Sequence, residues 1–463
     1  MRTLIRKIFK KASIHGFSYI ARTDIHLVER ILWGILLFIG TYLSVDMCWN
    51  QFKRYKDNPT VFGVERIMGT REFPYVGVTM CSNYFDEEQA DVIIQKKWNV
   101  TTGDKKHDYY KKFLQVLIEI EYNNLETLKP YANDEDLRNV DFLKTIWDIN
   151  SSQFTNKTGK NKILGGDLHY SFSVVYRPKE DTTSTVFQSV ITEVGLCFTT
   201  SFLYEYQNPL GFQREPLTDT EPKMCTPFDL CNLKVTPNVD SGDKIVAYIH
   251  NNKDVVEPDI KSVIRREINT NEISNVDVTL EIISAEEEVR NVPINYRKCR
   301  FSNENNLKYF KTYRPILCRI ECRINAALKL CQCKPFFYVV GPKGPICNIK
   351  GLLCLAKNNW MNTKCDQCLE MCAVHKYTAL KTTAHVFNEA KFARALLINL
   401  SLPKMGIRRR VVFSFDQLVI AFGGAASLFL GCSFLSFAQI FYYIIQYLEE
   451  KLKIMYRRYF KKN

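Results

Sequence analysis

The chain has 463 residues, enough for two or three domains, and 46% of them are hydrophobic, which is ordinary for a globular protein. Its 16 cysteines indicate an oxidising compartment and count against a cytosolic enzyme. The net charge of +14 alone would fit a nucleic-acid-binding protein, but the basic clusters at the two ends each adjoin an apolar stretch. That pattern is typical of the cytoplasmic flanks of membrane spans, so we expect a lipid bilayer as partner and no nucleic acid.

The first predicted elements are a basic cytoplasmic segment, residues 1–30, and a transmembrane helix, residues 31–49. About 20 apolar residues suffice to cross a bilayer. Asp46 lies near one end of this run, where a carboxylate costs less than at the bilayer centre. A cleaved signal peptide is the alternative, but a long basic segment precedes the run and no convincing small-residue cleavage site follows it.

Residues 50–410 are predicted to form one large extracellular domain. Apolar residues at helical spacing predict helices at 109–128 and 140–149, whereas β-branched and aromatic residues predict strands at 189–206, 244–250 and 276–283. The fold class is therefore α+β. Fourteen of the 16 cysteines lie in this segment, which supports its extracellular location. The four Asn-x-Ser/Thr glycosylation sequons agree, and they begin at Asn99, Asn150, Asn156 and Asn399.

Ten cysteines crowd the end of this domain. They are Cys299, Cys318, Cys322, Cys331, Cys333, Cys347, Cys354, Cys365, Cys368 and Cys372. Zinc is the alternative to disulfides, because Cys365 and Cys368 form a C-x-x-C pair, but the external compartment and the even count favour disulfides. Cys318 with Cys322, and Cys368 with Cys372, are spaced i, i+4, so on helices each pair would present two sulfurs on one face. We expect a stiff disulfide-bonded module and no metal.

The second predicted span is residues 411–447, followed by a basic cytoplasmic segment, residues 448–463. The middle of this span is crowded with small residues, among them Gly423, Gly424, Ser427 and Gly431. Small residues allow a tight helix-helix contact, and they also suit a pore lining, where carbonyls and hydroxyls face a water path. The stretch alone leaves both interpretations open.

Several motifs, in one order along nearly the whole chain, resemble the degenerin and epithelial sodium channel family, and its insect pickpocket branch most of all. They are His15-Gly16 before the first span, Phe73 to Cys81 (FPYVGVTMC) after it, Gly195 to Thr199 (GLCFT), Tyr313 to Cys333, and Gly423-Gly424 followed by Gly431-Cys432-Ser433. Each motif alone is weak, whereas their ordered combination is specific.

The resemblance implies a trimer of the acid-sensing and epithelial sodium channel type, in which each subunit gives two transmembrane helices and a disulfide-rich extracellular domain. It implies a selectivity filter at Gly431, Cys432 and Ser433, a pore lined by Gly423, Gly424 and Ser427, and gating roles for His15, Gly16 and Ile420. It also implies pairing of Cys81 with Cys197, and a nested series that joins Cys299 to Cys372, Cys318 to Cys368, Cys322 to Cys365, Cys331 to Cys354, and Cys333 to Cys347. Cys225 and Cys231 remain, and parity leads us to expect a local bridge between them.

Three residues depart from the family pattern, and one of them is Tyr442, which stands where the family has an acidic residue. Gln439 stands where the family usually has a glutamate at the cytoplasmic mouth, and a ring of carboxylates there would attract cations. Ile420 stands where a small residue is usual and where bulk holds such channels open. The resemblance therefore predicts either a leaky homomer or a subunit that works beside related subunits.

The expected function is that of a subunit of an amiloride-sensitive, Na⁺-selective channel, gated by an extracellular chemical or mechanical stimulus and sensory in role. A non-conducting auxiliary or receptor subunit is the alternative. An ectoenzyme is disfavoured, because no nucleophile elbow, HExxH or Gly-rich phosphate loop is present. We expect no cofactor, Na⁺ as the permeant ion, a homo- or heterotrimer, and a plasma-membrane location with both termini cytoplasmic.

Overall fold

The computed structural model of the chain describes residues 16–21, 24–67, 71–150, 171–177, 187–208, 224–226, 231–238, 245–257, 263–342, 344–387 and 394–460. The chain divides into two compact units. The first comprises Met1–Gly63, Glu286–Lys298 and Arg409–Asn463, and the second comprises Val64–Ala285 and Cys299–Arg408.

The helices of the described residues are α1 (Phe17–Ala21), α2 (Leu27–Asp57), α3 (Glu87–Trp98), α4 (Lys105–Ile118), α5 (Phe142–Asn150), α6 (Ile294–Arg297), α7 (Pro315–Cys331), α8 (Ile349–Lys357), α9 (Phe415–Leu430) and α10 (Phe434–Phe460). Short 3-10 helices occupy Leu125–Tyr131, Tyr204–Gln207, Glu287–Asn291 and Trp360–Asn362.

The strands are β1 (Thr60–Arg66), β2 (Phe73–Pro74), β3 (Gly77–Ser82), β4 (Ser171–Arg177), β5 (Gln188–Thr192), β6 (Gly195–Thr199), β7 (Met224–Cys225), β8 (Asn232–Asn238), β9 (Ile245–His250), β10 (Ile264–Ile268), β11 (Glu272–Ala285), β12 (Cys299–Arg300), β13 (Glu370–Met371), β14 (Val374–Val386), β15 (Ala395–Ser401) and β16 (Met405–Val411). The mixed fold confirms the α+β prediction and the disulfide-rich domain.

Two sheets organise the second unit. One has the strand order β1-β16-β11-β15-β8-β4, with β14 also paired to β11, and the other has the order β10-β9-β3-β6-β5. Strand β11 alternates buried and half-exposed residues, so one face of the larger sheet points into a core. Val276 and Val278 from this face share a hydrophobic cluster with Met80 and Ile249 of the smaller sheet.

A second core packs the helices α3, α4 and α5 together with α7 and α8. The carboxylates of Asp86 and Asp104 cap the first turns of α3 and α4, since each accepts a hydrogen bond from a backbone N–H of its helix. Phe113 and Leu117 of α4 are fully buried in this core.

Two sequence predictions in this unit are wrong in extent. The helix predicted at 109–128 ends at Ile118, because the Asn124 side chain accepts from the Glu121 N–H and donates to the Glu119 carbonyl, which favours a turn over a helix. The strand predicted at 189–206 is a hairpin of β5 and β6. The chain reverses at Gly195, whose φ of +99° suits glycine.

Five disulfides link α7 and its flanks to the chain that follows. They join Cys299 to Cys372, Cys318 to Cys368, Cys322 to Cys365, Cys331 to Cys354, and Cys333 to Cys347. These are the nested pairs that the resemblance implies. Cys318 and Cys322 share a face of α7, but Cys368 lies in a turn and Cys372 follows β13, so the helical arrangement considered for the second pair is wrong. Cys81 pairs with Cys197, and Cys225 with Cys231.

Arginines hold α7 against the loops of the smaller sheet. Arg323 Nη1 lies 2.7 Å from Glu257 Oε1 and 3.2 Å from Glu193 Oε1, and both carboxylates are buried. Arg319 Nε donates to the other oxygen of Glu257 at 2.9 Å. Because two guanidinium groups face two carboxylates, the buried charges balance.

The first unit contains the apolar helices. Among the described residues, α2 is the one helix long and apolar enough to cross a membrane, and α9 is a shorter apolar helix. The predicted span 31–49 lies within α2. Tyr55 near the end of α2 meets Tyr296 edge to face at 5.5 Å, and Phe413 and Leu418 complete this cluster.

We predict that the stability of the second unit falls in acid because of His375. Burial, with Arg71, Lys253 and Arg314 nearby, lowers the pKa of this imidazole to about 4. The imidazole of an unfolded histidine has a pKa near 6.5. Between about pH 6.5 and pH 4 the unfolded chain therefore binds more protons than the folded chain, and the free energy of unfolding decreases as the pH is lowered. The loss is expected to be about 2 kcal/mol, since water screens part of the ring.

Thermal unfolding of the detergent-solubilised full chain against pH measures this effect. His375→Gln should flatten the slope between pH 6.5 and 4, whereas His385→Gln, at an exposed position of the same strand, should leave it unchanged. Burial also lowers the pKa of His250, so a reduced slope remains in His375→Gln. An unaltered slope in His375→Gln would contradict the assignment.

Candidate functional site

The last apolar stretch, predicted as a single span at 411–447, is two helices separated by Gly431, Cys432 and Ser433. Helix α9 begins with a reciprocal capping box, in which the Gln417 N–H donates to Ser414 Oγ at 3.3 Å and the Ser414 N–H donates to Gln417 Oε1 at 3.0 Å. Strand β16 occupies residues 405–411, so the apolar helix starts later than predicted.

Gly431 ends α9 in the left-handed conformation, with φ of 58°. The Gly431 N–H donates to the Ser427 carbonyl at 2.9 Å. Two donors of Cys432 then reach the same acceptor, because its N–H and its thiol both lie 3.4 Å from the Ala426 oxygen. Glycine is the usual residue at such a helix end, because it adopts positive φ without a steric cost.

Ser433 starts α10. Its N–H donates to Ser436 Oγ at 3.1 Å, and its carbonyl accepts from the Ser436 N–H at 2.9 Å. The first bond resembles one half of a capping box, in which the side chain of the third helical residue accepts from the N-cap N–H, and the second belongs to the first helical turn. The three residues between the helices therefore have their own hydrogen bonds and form an ordered break.

The break presents its three residues differently. The Ser433 side chain is exposed and Gly431 is half-exposed, whereas Cys432 is only 3% exposed. The end of α9 also carries the partial negative charge of the last helical carbonyls, which favours a cation nearby. The structure brings the three predicted filter residues together, with the backbone and the serine hydroxyl accessible and the cysteine thiol turned inward.

The small residues of α9 lie on its open side. Gly423, Gly424 and Ser427 are exposed, and no atom lies within 4 Å of a Cβ built on either glycine. Ile420 belongs to the same side and is 71% exposed. The opposite side carries the buried residues Leu418 and Ala425. Because positions three and four apart share a helix face, these residues form one stripe that leads to the break.

A glycine of α2 supports the end of α9. A Cβ on Gly40 would lie 2.9 Å from the Phe429 carbonyl oxygen, two residues before Gly431. Gly40 and Ser44, one turn apart, are both buried. This contact was not predicted from the sequence, although glycines within the first predicted span, such as Gly40, are a signal for close helix packing.

The remaining predicted residues are spread over the chain. Gly16 has φ of +90°, and a Cβ there would lie 3.0 Å from Leu37 of α2, while His15 lies outside the described residues. Gln439 is half-exposed on α10.

Of the sequons, Asn99 is exposed, Asn150 is buried, Asn399 is half-buried, and Asn156 lies outside the described residues. No group of three or more His, Cys, Asp or Glu in the described part of the chain could hold a metal ion.

Comparison with known proteins places these features in a family. The sequence profile described as Amiloride-sensitive sodium channel matches residues 8–443. Pickpocket protein 28 of Drosophila melanogaster is 20% identical, over 94% of this chain and 77% of the relative. Sodium channel protein Nach of Drosophila ananassae is 22% identical, over 93% of this chain and 84% of the relative. Acid-sensing ion channel 2 of Homo sapiens is 24% identical over 37% of each chain.

Among solved structures, one titled as a cryo-EM structure of a proton-activated chloride channel covers 89% of this chain and 98% of its own chain. Its TM-score of 0.27 and sequence identity of 6% are too low to support an inference about fold or function.

We predict that Gly40→Ala destabilises the first unit, although alanine ordinarily stabilises a helix interior by about 1 kcal/mol relative to glycine. The added methyl group would meet the Phe429 oxygen at 2.9 Å, so α2 and α9 would have to separate. Gly34→Ala in the same helix is the matched control, because no atom lies within 4 Å of its Cβ position. The thermal midpoint in lipid nanodiscs should fall for Gly40→Ala and stay level or rise for Gly34→Ala. Equal midpoints would refute the close contact.

Proposed function

The chain belongs to the amiloride-sensitive sodium channel family, whose members are ion channels and not enzymes, and we propose that it is a subunit of a Na⁺-selective channel that amiloride blocks. The family resemblance seen in the motifs is thereby confirmed. The sodium channel and pickpocket relatives agree with a membrane protein of this kind.

The observation that carries the proposal is the ordered break at Gly431, Cys432 and Ser433 within an apolar stretch. Non-helical backbone at membrane depth is tolerated only where it is buried in protein or lines a water-filled path. A helix that serves only as an anchor has no use for such a break, nor for the exposed stripe of Gly423, Gly424 and Ser427. Both features suit a pore.

The proposed filter is a ring made by the breaks of three subunits around one axis. Each subunit offers the exposed Ser433 hydroxyl and backbone carbonyls from the negative end of α9. Such oxygens replace part of the hydration shell of a cation, and no titratable group is required. Cys432 acts within each subunit, because its buried thiol holds the turn through Ala426.

We propose that the channel lies in the plasma membrane. Each chain has two spans, α2 and the pair α9–α10, and both termini are cytoplasmic. The disulfide-rich segment between them would then be extracellular, in keeping with its seven bridges. An extracellular chemical or mechanical stimulus would open the pore, in a sensory role, with His15, Gly16 and Ile420 involved in gating.

A non-conducting auxiliary subunit is the second candidate. It is favoured by Gln439, because a neutral side chain there cannot attract cations as a ring of carboxylates does. Na⁺ currents recorded from cells that express this chain alone and together with a related subunit separate the two candidates. Amiloride-sensitive current from the chain alone supports a conducting subunit, and current that needs the partner and is unaffected by substitutions at Ser433 supports an auxiliary one.

We predict that Ser433→Cys makes the current sensitive to a small charged thiol reagent applied from outside. The exposed position would carry a reactive sulfur at the narrowest point of the pore, and we expect at least a tenfold loss of current. The native channel is the control, because Cys432 is buried and its thiol already donates to Ala426. Current that survives complete modification of the introduced thiol would remove Ser433 from the pore.

We predict that Ile420→Ala lowers the standing current without lowering the thermal midpoint. The Ile420 side chain is 71% exposed on the stripe side of α9, so shortening it removes little packing within the chain. Val419→Ala is the matched control, because Val419 is also exposed but points about 100° away on the helix. The ratio of unstimulated to maximal current should fall for Ile420→Ala alone. A silent chain in both forms would count against the leaky homomer.

A further inference from the structure

The sequons that begin at Asn99, Asn150 and Asn399 are equivalent in the sequence, but these three asparagines are not equivalent in the fold. A glycan on asparagine is attached through the side-chain nitrogen Nδ2, and the folded domain must leave that atom and the space around it open to water. The surroundings of Nδ2 differ among Asn99, Asn150 and Asn399.

The side chain of Asn99 is accessible for attachment of a glycan. It ends helix α3 in the left-handed conformation, with φ of 55°, and its backbone N–H donates to the Gln95 carbonyl at 3.1 Å. The capping bond thus uses the backbone, and the side chain is exposed. Val100 is buried while Thr101 is exposed, so the middle residue anchors the sequon and its two reactive side chains point outward.

Asn399 is closed. It lies in β15, between β11 and β8, directly opposite Asp277 on one side and Asn232 on the other. Its Nδ2 donates to Asp277 Oδ1 at 2.8 Å, and the side chain is half-buried. A sugar on this nitrogen would replace a donor hydrogen and would stand on a central strand of the larger sheet, against side chains of both neighbouring strands.

The side-chain nitrogen of Asn150 is also inaccessible for attachment of a glycan. It is the last residue of α5 and is 6% exposed, and its Nδ2 donates to the Ile146 carbonyl at 2.9 Å. A buried nitrogen at the end of a helix cannot carry a bulky, hydrated group without the helix end opening.

We propose that Asn99 carries the N-linked glycan of the described part of this chain, and that the sequons at Asn150 and Asn399 are unused in the folded protein. In this modification the Asn99 Nδ2 forms a bond to C1 of the first sugar. The bond between C1 and the diphosphate of a lipid-linked oligosaccharide breaks, the lipid diphosphate leaves, and the amide proton passes to a base of the transferase. The inference rests on the extracellular location of this segment in the proposed function.

The test uses the full chain expressed in animal cells, with Thr158→Ala added throughout to remove the sequon of Asn156. Mobility before and after treatment with an N-glycosidase should show one glycan. Thr101→Ala should abolish the shift and Thr101→Ser, which keeps the sequon, should retain it. Ser152→Ala and Ser401→Ala, which remove the sequons of Asn150 and Asn399, should leave it unchanged. A shift that survives Thr101→Ala, or one that is lost in Ser401→Ala or Ser152→Ala, overturns the inference.

The variant Lys364→Thr distinguishes a wrong assignment of the glycan to Asn99 from a wrong membrane topology. It creates a sequon at the exposed Asn362 in the same segment. If Lys364→Thr gains a glycan while Thr101→Ala changes nothing, the segment is extracellular and the assignment of Asn99 is wrong. If no variant is glycosylated, including Lys364→Thr, the segment is not translocated and the proposed topology falls with the inference.

Discussion

The Ala426 carbonyl receives both the N–H and the thiol of Cys432, and these two bonds decide where the last apolar stretch stops being one helix. In a bilayer, each peptide group that leaves a helix must find another partner, because no water is available in the hydrocarbon. The break meets this requirement with Gly431 on one side and Ser433 with Ser436 on the other. The direction of α10, the position of the exposed carbonyls and the reach of the small-residue stripe all follow from this turn.

The first unit supports the break from outside the stretch itself. Gly40 lets the backbone of α2 approach the Phe429 carbonyl, so a residue nearly 400 positions away in sequence limits how the end of α9 can move. This contact lies on the side of α9 opposite the open stripe. One side of the helix is thus fixed by α2, and the other side, with Gly423, Gly424 and Ser427, is left exposed.

Much of this architecture could be predicted from the sequence, and the failures have physical reasons. The motifs identified the family and the nested cysteine partners, parity identified the Cys225–Cys231 bridge, and the spacing of apolar and β-branched residues identified the α+β class, because all of these depend on residue type and order. The break was missed although Gly431 and Ser433 are a helix-ending and a helix-starting residue, since apolar length was given more weight than capping. The turn at Asn124 depends on two hydrogen bonds of one side chain, and the Gly40 contact depends on tertiary packing, so neither follows from periodicity.

The five bridges around α7 are strictly nested, with sequence separations of 73, 50, 43, 23 and 14 residues. A chain that emerges from its N-terminus exposes Cys299, Cys318, Cys322, Cys331 and Cys333 before any of their partners. Cys347 comes next and meets the most recent arrival, Cys333, and each later cysteine meets the most recent one still unpaired. During synthesis, the native partner of each newly exposed cysteine is therefore the most recently exposed cysteine that is still unpaired. The innermost bridge can form first and the outermost last, and no bridge has to be broken for the next one to form.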